Sequence, residues 1–286
     1  MAFGKLCKHT VHPADLRIQE IMGITFKKYF QQHPSFHFSE GVFWQHYYQE
    51  NIEFTHTYLR LRKNEGRLFD DQTVFLLPET PPDILLRKEW IIRRCSADRL
   101  IEYLEQKQIE KIVELGCGNG WLINYMSKSL KLDFCGVDIN KVELEQAARL
   151  FTVNEKISLV YADINSDSFK DFKADVFILA GAAQYFSDLY ELLNRLLSLL
   201  EPGGEIHILD SPFYNDKTFE DAKTRGDKHF DKEGLPLMKQ YYFYQKWQSL
   251  KSFQHQVLYN PDSRINAVKL LLITDSPFPW IKITKA

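Results

Sequence analysis

The stretch V-E-L-G-C-G-N-G-W-L, residues 113–122, puts glycines at positions 116, 118 and 120 directly after a run of apolar β-formers. Glycine loses more backbone entropy on folding than any other residue, so three at alternate positions weaken a segment unless its backbone needs their freedom. In a parallel α/β sheet, the turn after a strand opens onto the crevice where ligands bind. Glycines there let a ligand approach the main chain, and a helix starting near Trp121 offers N–H groups without intrahelical partners.

The neighbours of the glycines narrow the ligand. A dinucleotide turn reads G-x-G-x-x-G/A, but its third small position is held here by Trp121, and no lysine follows Gly120 as a phosphate-cradling loop requires. Glu114 precedes the first glycine by two residues. A carboxylate there repels a pyrophosphate but pairs with an ammonium, which points to a ligand that is cationic at that end. Asp138 closes the next apolar run in G-V-D-I-N, where an acid accepts from ribose hydroxyls. Asp163 closes the third in Y-A-D-I-N, where it can accept from an adenine amino group. Either aspartate alone is equally an ordinary turn starter at a strand end.

Around this stretch the chain alternates strand and helix patterns. Apolar runs at 112–116, 134–138, 158–163, 175–181 and 205–210 are separated by helical patterns over 121–130, 141–151 and 188–200. In the last of these, Leu189, Leu192, Leu193, Leu196, Leu197 and Leu200 form one apolar stripe, and P-G-G at 202–204 is the expected stop. This rhythm predicts a doubly wound α/β domain with a mostly parallel sheet and helices on both faces. A helix is expected over 84–106, after a Pro-bearing break at 77–83. Residues 1–85 read as an aromatic-rich, helical or irregular cap, and 86–286 as the main domain with a lid-like insertion near 213–245. Within that insertion, the charged run 216–233 is expected as a solvated loop and Q-Y-Y-F-Y-Q-K-W at 240–247 as a helix. A strand at 253–260, an apolar helical piece N-A-V-K-L-L-L-I and a final W-I-K-I-T-K are expected to complete the sheet.

Charge excludes little but supports no polyanion surface: 36 Lys and Arg stand against 38 Asp and Glu, a formal net charge of -2. No nucleic-acid partner is expected. Nor is a membrane, since no stretch approaches the ~18 apolar residues of a spanning helix. Cys7, Cys95, Cys117 and Cys135 contain no C-x-x-C pair, which favours a reducing, cytoplasmic setting. His9/His12 and His33/His37 have ligand-like gaps, but Pro34 breaks a helical pairing of the latter and no metal site is expected.

Taken in order, V-E-L-G-C-G-N-G, G-V-D-I, Y-A-D-I, D-V-F-I-L-A-G-A-A-Q-Y-F and L-L-E-P-G-G-E-I-H-I resemble the class I S-adenosylmethionine-dependent methyltransferases, over roughly residues 96–212. The resemblance implies a Rossmann-like seven-stranded sheet with a reversed last strand and S-adenosyl-L-methionine as cofactor. It implies Gly116, Cys117, Gly118, Asn119 and Gly120 around the methionine end. Asp138 and Ile139 would meet the ribose, Asp163 and Ile164 the adenine, and Ala180 or Gly181 the sulfonium; Glu114 would take the amino group.

The sulfonium is already an activated electrophile, so the protein chiefly has to align a nucleophile and exclude water. Tyr185, after the fourth strand, and Tyr214, after the fifth, are the candidates to face the acceptor, with packing as the rival role for both. The D/N-P-P-Y type sequence of amino-methylating nucleic-acid enzymes is missing after strand four, where A-G-A-A-Q-Y stands, and so is the glutamate pair of protein-arginine methyltransferases. A small-molecule acceptor is the expectation. The alternatives are a non-catalytic module that binds S-adenosylmethionine or S-adenosylhomocysteine and, more remotely, a nicotinamide oxidoreductase. The acceptor's identity, the atom methylated and the oligomeric state have no signature in the sequence. Phe43, Trp44, Tyr47 and Tyr48, with Tyr241, Tyr242, Phe243, Tyr244 and Trp247, are expected to shape the acceptor pocket.

Overall fold

The structure, a computed structural model, describes residues 24–80 and 86–285. Cys7, His9, His12 and residues 81–85 of the break and helix start lie outside them.

The uninterrupted apolar runs become strands covered on both faces, as a central parallel sheet requires. They are β3 (Lys111–Leu115), β4 (Asp133–Asp138), β5 (Ile157–Tyr161), β6 (Ala174–Ala180) and β7 (Leu200–Leu209). Between them run α5 (Trp121–Ser129), α6 (Lys141–Phe151) and α7 (Leu189–Leu199). β3 pairs in parallel with β4 on one side and β6 on the other, and β4 with β5, so the chain reverses its direction of growth at β3. Glycine turns after β3 therefore sit at the topological switch point. At the far side β9 (Trp280–Thr284) runs antiparallel between β7 and β8 (Gln254–Tyr259). The reversed strand and the mostly parallel sheet are as anticipated.

The sheet, however, has nine strands, in the order β1-β2-β5-β4-β3-β6-β7-β9-β8. The two additional ones come from the N-terminal cap, which is more than helical or irregular: after α1 (Phe26–Gln32), a hairpin of β1 (Phe36–Ser39) and β2 (Val42–Gln45) lays β2 parallel to β5. Phe26 and Phe30 of α1 stack on Phe172 at 5.1 and 5.6 Å between ring centres, sealing that edge. Then follow α2 (Ile52–Asn64), α3 (Asp71–Leu76) and α4 (Arg87–Leu104).

The leucine stripe of α7 buries Leu189, Leu192, Leu193, Leu196 and Leu199. Each contributes roughly 1.5–3 kcal/mol relative to exposure. Asp188 caps the helix by accepting from the Glu191 N–H at 2.9 Å. The helix stops at Leu199 and Leu200 enters β7 at once, so P-G-G lies inside the irregular start of a strand paired with β6, not in a helix stop.

Two further expectations change. The charged run is a helix, α8 (Asp216–Lys232), opened by a capping box between Asn215 and Thr218. The aromatic stretch 240–247 is largely extended rather than helical, running between 3-10 turns at Pro236–Gln240 and Trp247–Leu250. The apolar piece near the end is α9 (Arg264–Leu272), with Ile265, Leu271 and Leu272 exposed. No helix among the described residues is long and apolar enough to cross a membrane.

Candidate active site

All three glycines of the β3 turn hold positive φ: 74° at Gly116, 51° at Gly118 and 72° at Gly120. Their surroundings differ. A Cβ on Gly116 would stand 2.7 Å from the Cβ of Ala182, and one on Gly120 would stand 3.1 Å from that of Ala147. Gly120 therefore seats α6 against the start of α5, one layer back from the crevice. Gly116 and Gly118 line the crevice itself.

That crevice holds three contiguous chambers. The first, about 270 Å³, has Gly116, Gly118, Asp138, Ile139, Asp163 and Ile164 in its wall. Asp138 ties the turn to β4: its Oδ2 accepts from the Gly118 N–H at 2.6 Å and its Oδ1 from the Asn140 N–H at 2.7 Å. Burial raises the Asp138 carboxyl above its ordinary range, against the pull of these N–H groups. Asp163 accepts from the Asn165 N–H at 2.9 Å, and its own N–H donates to Gln45 Oε1 of the hairpin. Both aspartates thus start turns and also border one cavity.

The second chamber, about 90 Å³, collects Glu114, Cys117, Asn119, Ala180 and Gly181 with Arg62, Arg67 and Arg93. Glu114 is buried in mid-sheet and its Oε2 has no hydrogen-bond partner. Burial, then the Asp138 charge, pushes its carboxyl well up, opposed by the Ile123 N–H and Arg93. Cys117 is buried, and burial pushes its thiol well up, so it is no nucleophile. A Cβ at Gly136 would stand 2.8 Å from its Sγ, which identifies the thiol as a close-packed filler. Asn119 Oδ1 accepts from the Trp121 N–H at the start of α5, and the Trp121 ring meets Trp90 edge-on at 5.2 Å.

The third chamber, about 680 Å³, lies beneath α8. Tyr185, Tyr214, Tyr242 and Tyr244 line it, with Gln184 and Phe230. Burial raises the hydroxyl pKa of all four tyrosines, so they offer neutral hydrogen-bonding groups rather than phenolate bases. Gln184 donates to the Gly181 carbonyl at 2.6 Å while its buried Oε1 stays without a partner. Tyr244 explains a mid-helix glycine: a Cβ on Gly226 of α8 would stand 1.7 Å from its hydroxyl. Gly181 and Tyr185 border all three chambers.

Of the aromatics expected around the acceptor, Tyr242 and Tyr244 line the large chamber and Tyr48 the first one. Phe43 instead belongs to the core, Trp44 packs on Tyr161, Trp247 packs on Phe213, and Tyr47 is wholly exposed. Sequence reasoning passed over Phe54, Tyr58, Arg62, Arg93 and Glu143. The first three share one face of α2, visible only as an i, i+4, i+8 spacing. Among the described residues no three His, Cys, Asp or Glu side chains gather as a metal set. His33 accepts from the Ser35 N–H and His37 stacks on His46.

Comparison with known proteins bears on the part of the chain that builds the glycine turn and the strands around it. Residues 112–204 match a family model described as a methyltransferase domain. These residues are a methyltransferase domain. Curated relatives of that domain include a tocopherol O-methyltransferase of Arabidopsis thaliana, 27% identical over 108 residues, covering 37% of this chain and 31% of the relative. A malonyl-[acyl-carrier protein] O-methyltransferase of Priestia megaterium is 28% identical over 119 residues, covering 40% and 43%. The chain thus spans less than half the length of these relatives. Among solved structures, the plantazolicin methyltransferase BpumL, in complex with a triazolic desmethylPZN analog and SAH, aligns with a TM-score of 0.53 at 20% identity, covering 82% of this chain and 96% of that one. Magnesium protoporphyrin IX methyltransferase (ChlM) from Synechocystis PCC 6803 with bound SAM aligns at 0.51 and 11% identity, covering 81% and 97%. At such identity the likeness is one of fold: the methyltransferase domain has the class I Rossmann-like architecture.

Proposed function

We propose that the protein is an S-adenosylmethionine-dependent methyltransferase acting on a small-molecule acceptor. The observation that carries this reading is the junction at Gly181 and Tyr185, where a chamber edged by Asp138 and Asp163 meets a tyrosine-lined one of small-molecule size. The donor's adenosine occupies the first chamber, with Asp138 and Ile139 toward the ribose and Asp163 and Ile164 toward the adenine. Its methionine end enters the second, where the unpartnered Oε2 of Glu114 meets the ammonium. Fit is supported by the buried, unpartnered Glu114 Oε2, an acceptor in the wall of the chamber that the ammonium would enter.

When bound, the donor supplies an electrophilic methyl group. This chain's contribution is to align the acceptor and keep water away, with Tyr185 and Gln184 as hydrogen-bonding groups at the junction and Tyr214 farther along the wall. Among the described residues, the carboxylates lining the third chamber are all engaged: Glu89 holds Arg67 and Arg93, Glu65 pairs with His229 and Arg67, and Asp210 accepts from Ser96 and Ser276. The cap helix α2 and the 213–245 insertion act as the cover of the crevice. A cytoplasmic setting is supported by the free state of Cys95, Cys117 and Cys135.

The test is incubation of the full chain with methyl-labelled S-adenosylmethionine and an acceptor panel of phenols, carboxylic acids and amines. Label transfer to one class is expected. Tight binding of S-adenosylhomocysteine with no transfer to any member would favour a non-catalytic binding module instead.

A further inference from the structure

The third chamber has an inner end and a mouth. Gly181 and Tyr185, which it shares with the other two chambers, mark the inner end, and Gln184 stands beside them. The exposed residues of its wall, Lys88, Arg225, His229 and Pro277, mark the mouth. Four tyrosines of the wall stand ring to ring: Tyr185 to Tyr242 at 6.0 Å between centres, Tyr242 to Tyr244 at 5.0 Å, and Tyr244 to Tyr214 at 6.0 Å.

An aromatic wall of this kind suits either a flat conjugated ring or a cation held over the ring faces. Charge decides between them. The acids nearest the mouth are taken: Glu89 by Arg67 at 2.7 Å and Arg93 at 2.9 Å, Glu65 by His229 at 2.9 Å, and Asp227 by Lys223 at 3.5 Å. Lys88 of α4 and Arg225 of α8 are left, among the described residues, without a carboxylate at ion-pair distance. Burial raises the Tyr214 hydroxyl and the Arg225 charge pulls against it, so that charge is felt along the tyrosine wall. A mouth with two unmatched cations repels a cationic guest and draws in an anionic one.

The inner end asks for something else. Gln184 Nε2 donates to the Gly181 carbonyl at 2.6 Å, and a carbonyl only accepts, so the orientation of the amide is fixed. Its Oε1 is then a buried acceptor without a partner, which calls for an O–H or N–H.

We infer that the acceptor is an elongated aromatic anion: its reacting hydroxyl or amino group donates to Gln184 Oε1, its ring lies along the tyrosines, and its carboxylate meets Lys88 and Arg225. This rests on the methyl transfer proposed above. In that transfer the reacting oxygen or nitrogen bonds to the methyl carbon as the methyl–sulfur bond breaks. The electron pair of that bond stays on sulfur, and the hydrogen of the reacting group leaves to water as a proton. The two cations lie away from the reacting atoms, so they hold ground state and transition state alike and act on KM rather than kcat.

Steady-state methyl transfer by the full chain tests this with 4-hydroxycinnamate, 4-aminocinnamate, the primary carboxamide of each, and tyramine. At least one acid is expected to exceed its own amide in kcat/KM on the order of 10-fold, the range of a charge-assisted hydrogen bond, with tyramine poorest. The double variant Lys88→Gln/Arg225→Gln changes two exposed side chains. It should erase that preference by raising KM for the acid, with kcat and the amide little altered. The assignment is overturned by a preference for amide or tyramine, by an acid preference that survives the double variant, or by an equal loss for acid and amide. It is overturned too if no probe is methylated by a chain that binds S-adenosylhomocysteine. A chain that binds neither S-adenosylmethionine nor S-adenosylhomocysteine fails the donor site itself, which is a different result.

Discussion

Glu143 of α6 is buried against the β3 turn, close behind Gly118, and its Oε2 accepts from Asn140 Nδ2 at 2.9 Å. Burial pushes its carboxyl from 4.5 up to about 7; the Arg62 charge opposes this, and the Asp138 charge adds to it. Between those two pH values the folded protein keeps a proton that the unfolded chain has released. Stability therefore falls as pH rises from 4.5 through about 7 and levels off above. At about 1.4 kcal/mol per pH unit, the full effect is about 3 kcal/mol. Glu143→Gln fixes the neutral form and should keep the Asn140 contact through its amide oxygen. The variant should then match the wild type near pH 4.5 and exceed it in the free protein by up to about 3 kcal/mol at pH 8. Urea denaturation of both proteins at pH 5, 6, 7 and 8 measures this directly. Parallel stability curves, or a variant less stable than wild type at pH 8, would refute the buried, proton-retaining carboxyl.

Three further outcomes follow from the same geometry. Gly116→Ala combines a positive φ with a Cβ 2.7 Å from that of Ala182, so denaturation should show a loss of roughly 2–4 kcal/mol. Tyr244→Phe removes a buried hydroxyl that has no partner, and should be neutral or stabilising by up to about 1 kcal/mol in the same assay. Because burial raises the Glu143 carboxyl to about 7 in the free protein, binding of the cationic S-adenosylmethionine near pH 6.5 should release protons. Calorimetry in two buffers of different ionisation enthalpy reads that release, and equal enthalpies in both would count against it.

Most of the sheet was legible because strands covered on both faces must be apolar throughout, and the leucines of α7 repeat at helical spacing. The glycine turn was legible through what interrupted it: Trp121 and Glu114 spoke against a phosphate. The hairpin at the sheet edge was not, because its turn is built on Glu40 and Gly41, both at positive φ, where Asn-Gly or Asp-Gly is the usual signal. The helix α8 looked like a loop because it buries only Ala222 and Phe230, although N-x-x-T at 215–218 marked its start. In the 240–247 stretch, Tyr242 and Tyr244 face the acceptor chamber while the buried Gln245 donates to the Ala183 and Phe186 carbonyls, an alternation of period two that aromatic content alone concealed. Arg62 gave only its i, i+4, i+8 spacing with Phe54 and Tyr58 as a sign, since the chamber it shares with the glycines arises from packing between segments distant in sequence.

The most direct measurement is a crystal structure of the full chain with S-adenosylhomocysteine. The account predicts the adenosine between Asp138 and Asp163, the sulfur beside Gly181 and Tyr185, and the amino-acid tail beside Glu114. A ligand bound elsewhere, or one with its sulfur turned away from the tyrosine-lined chamber, would contradict it.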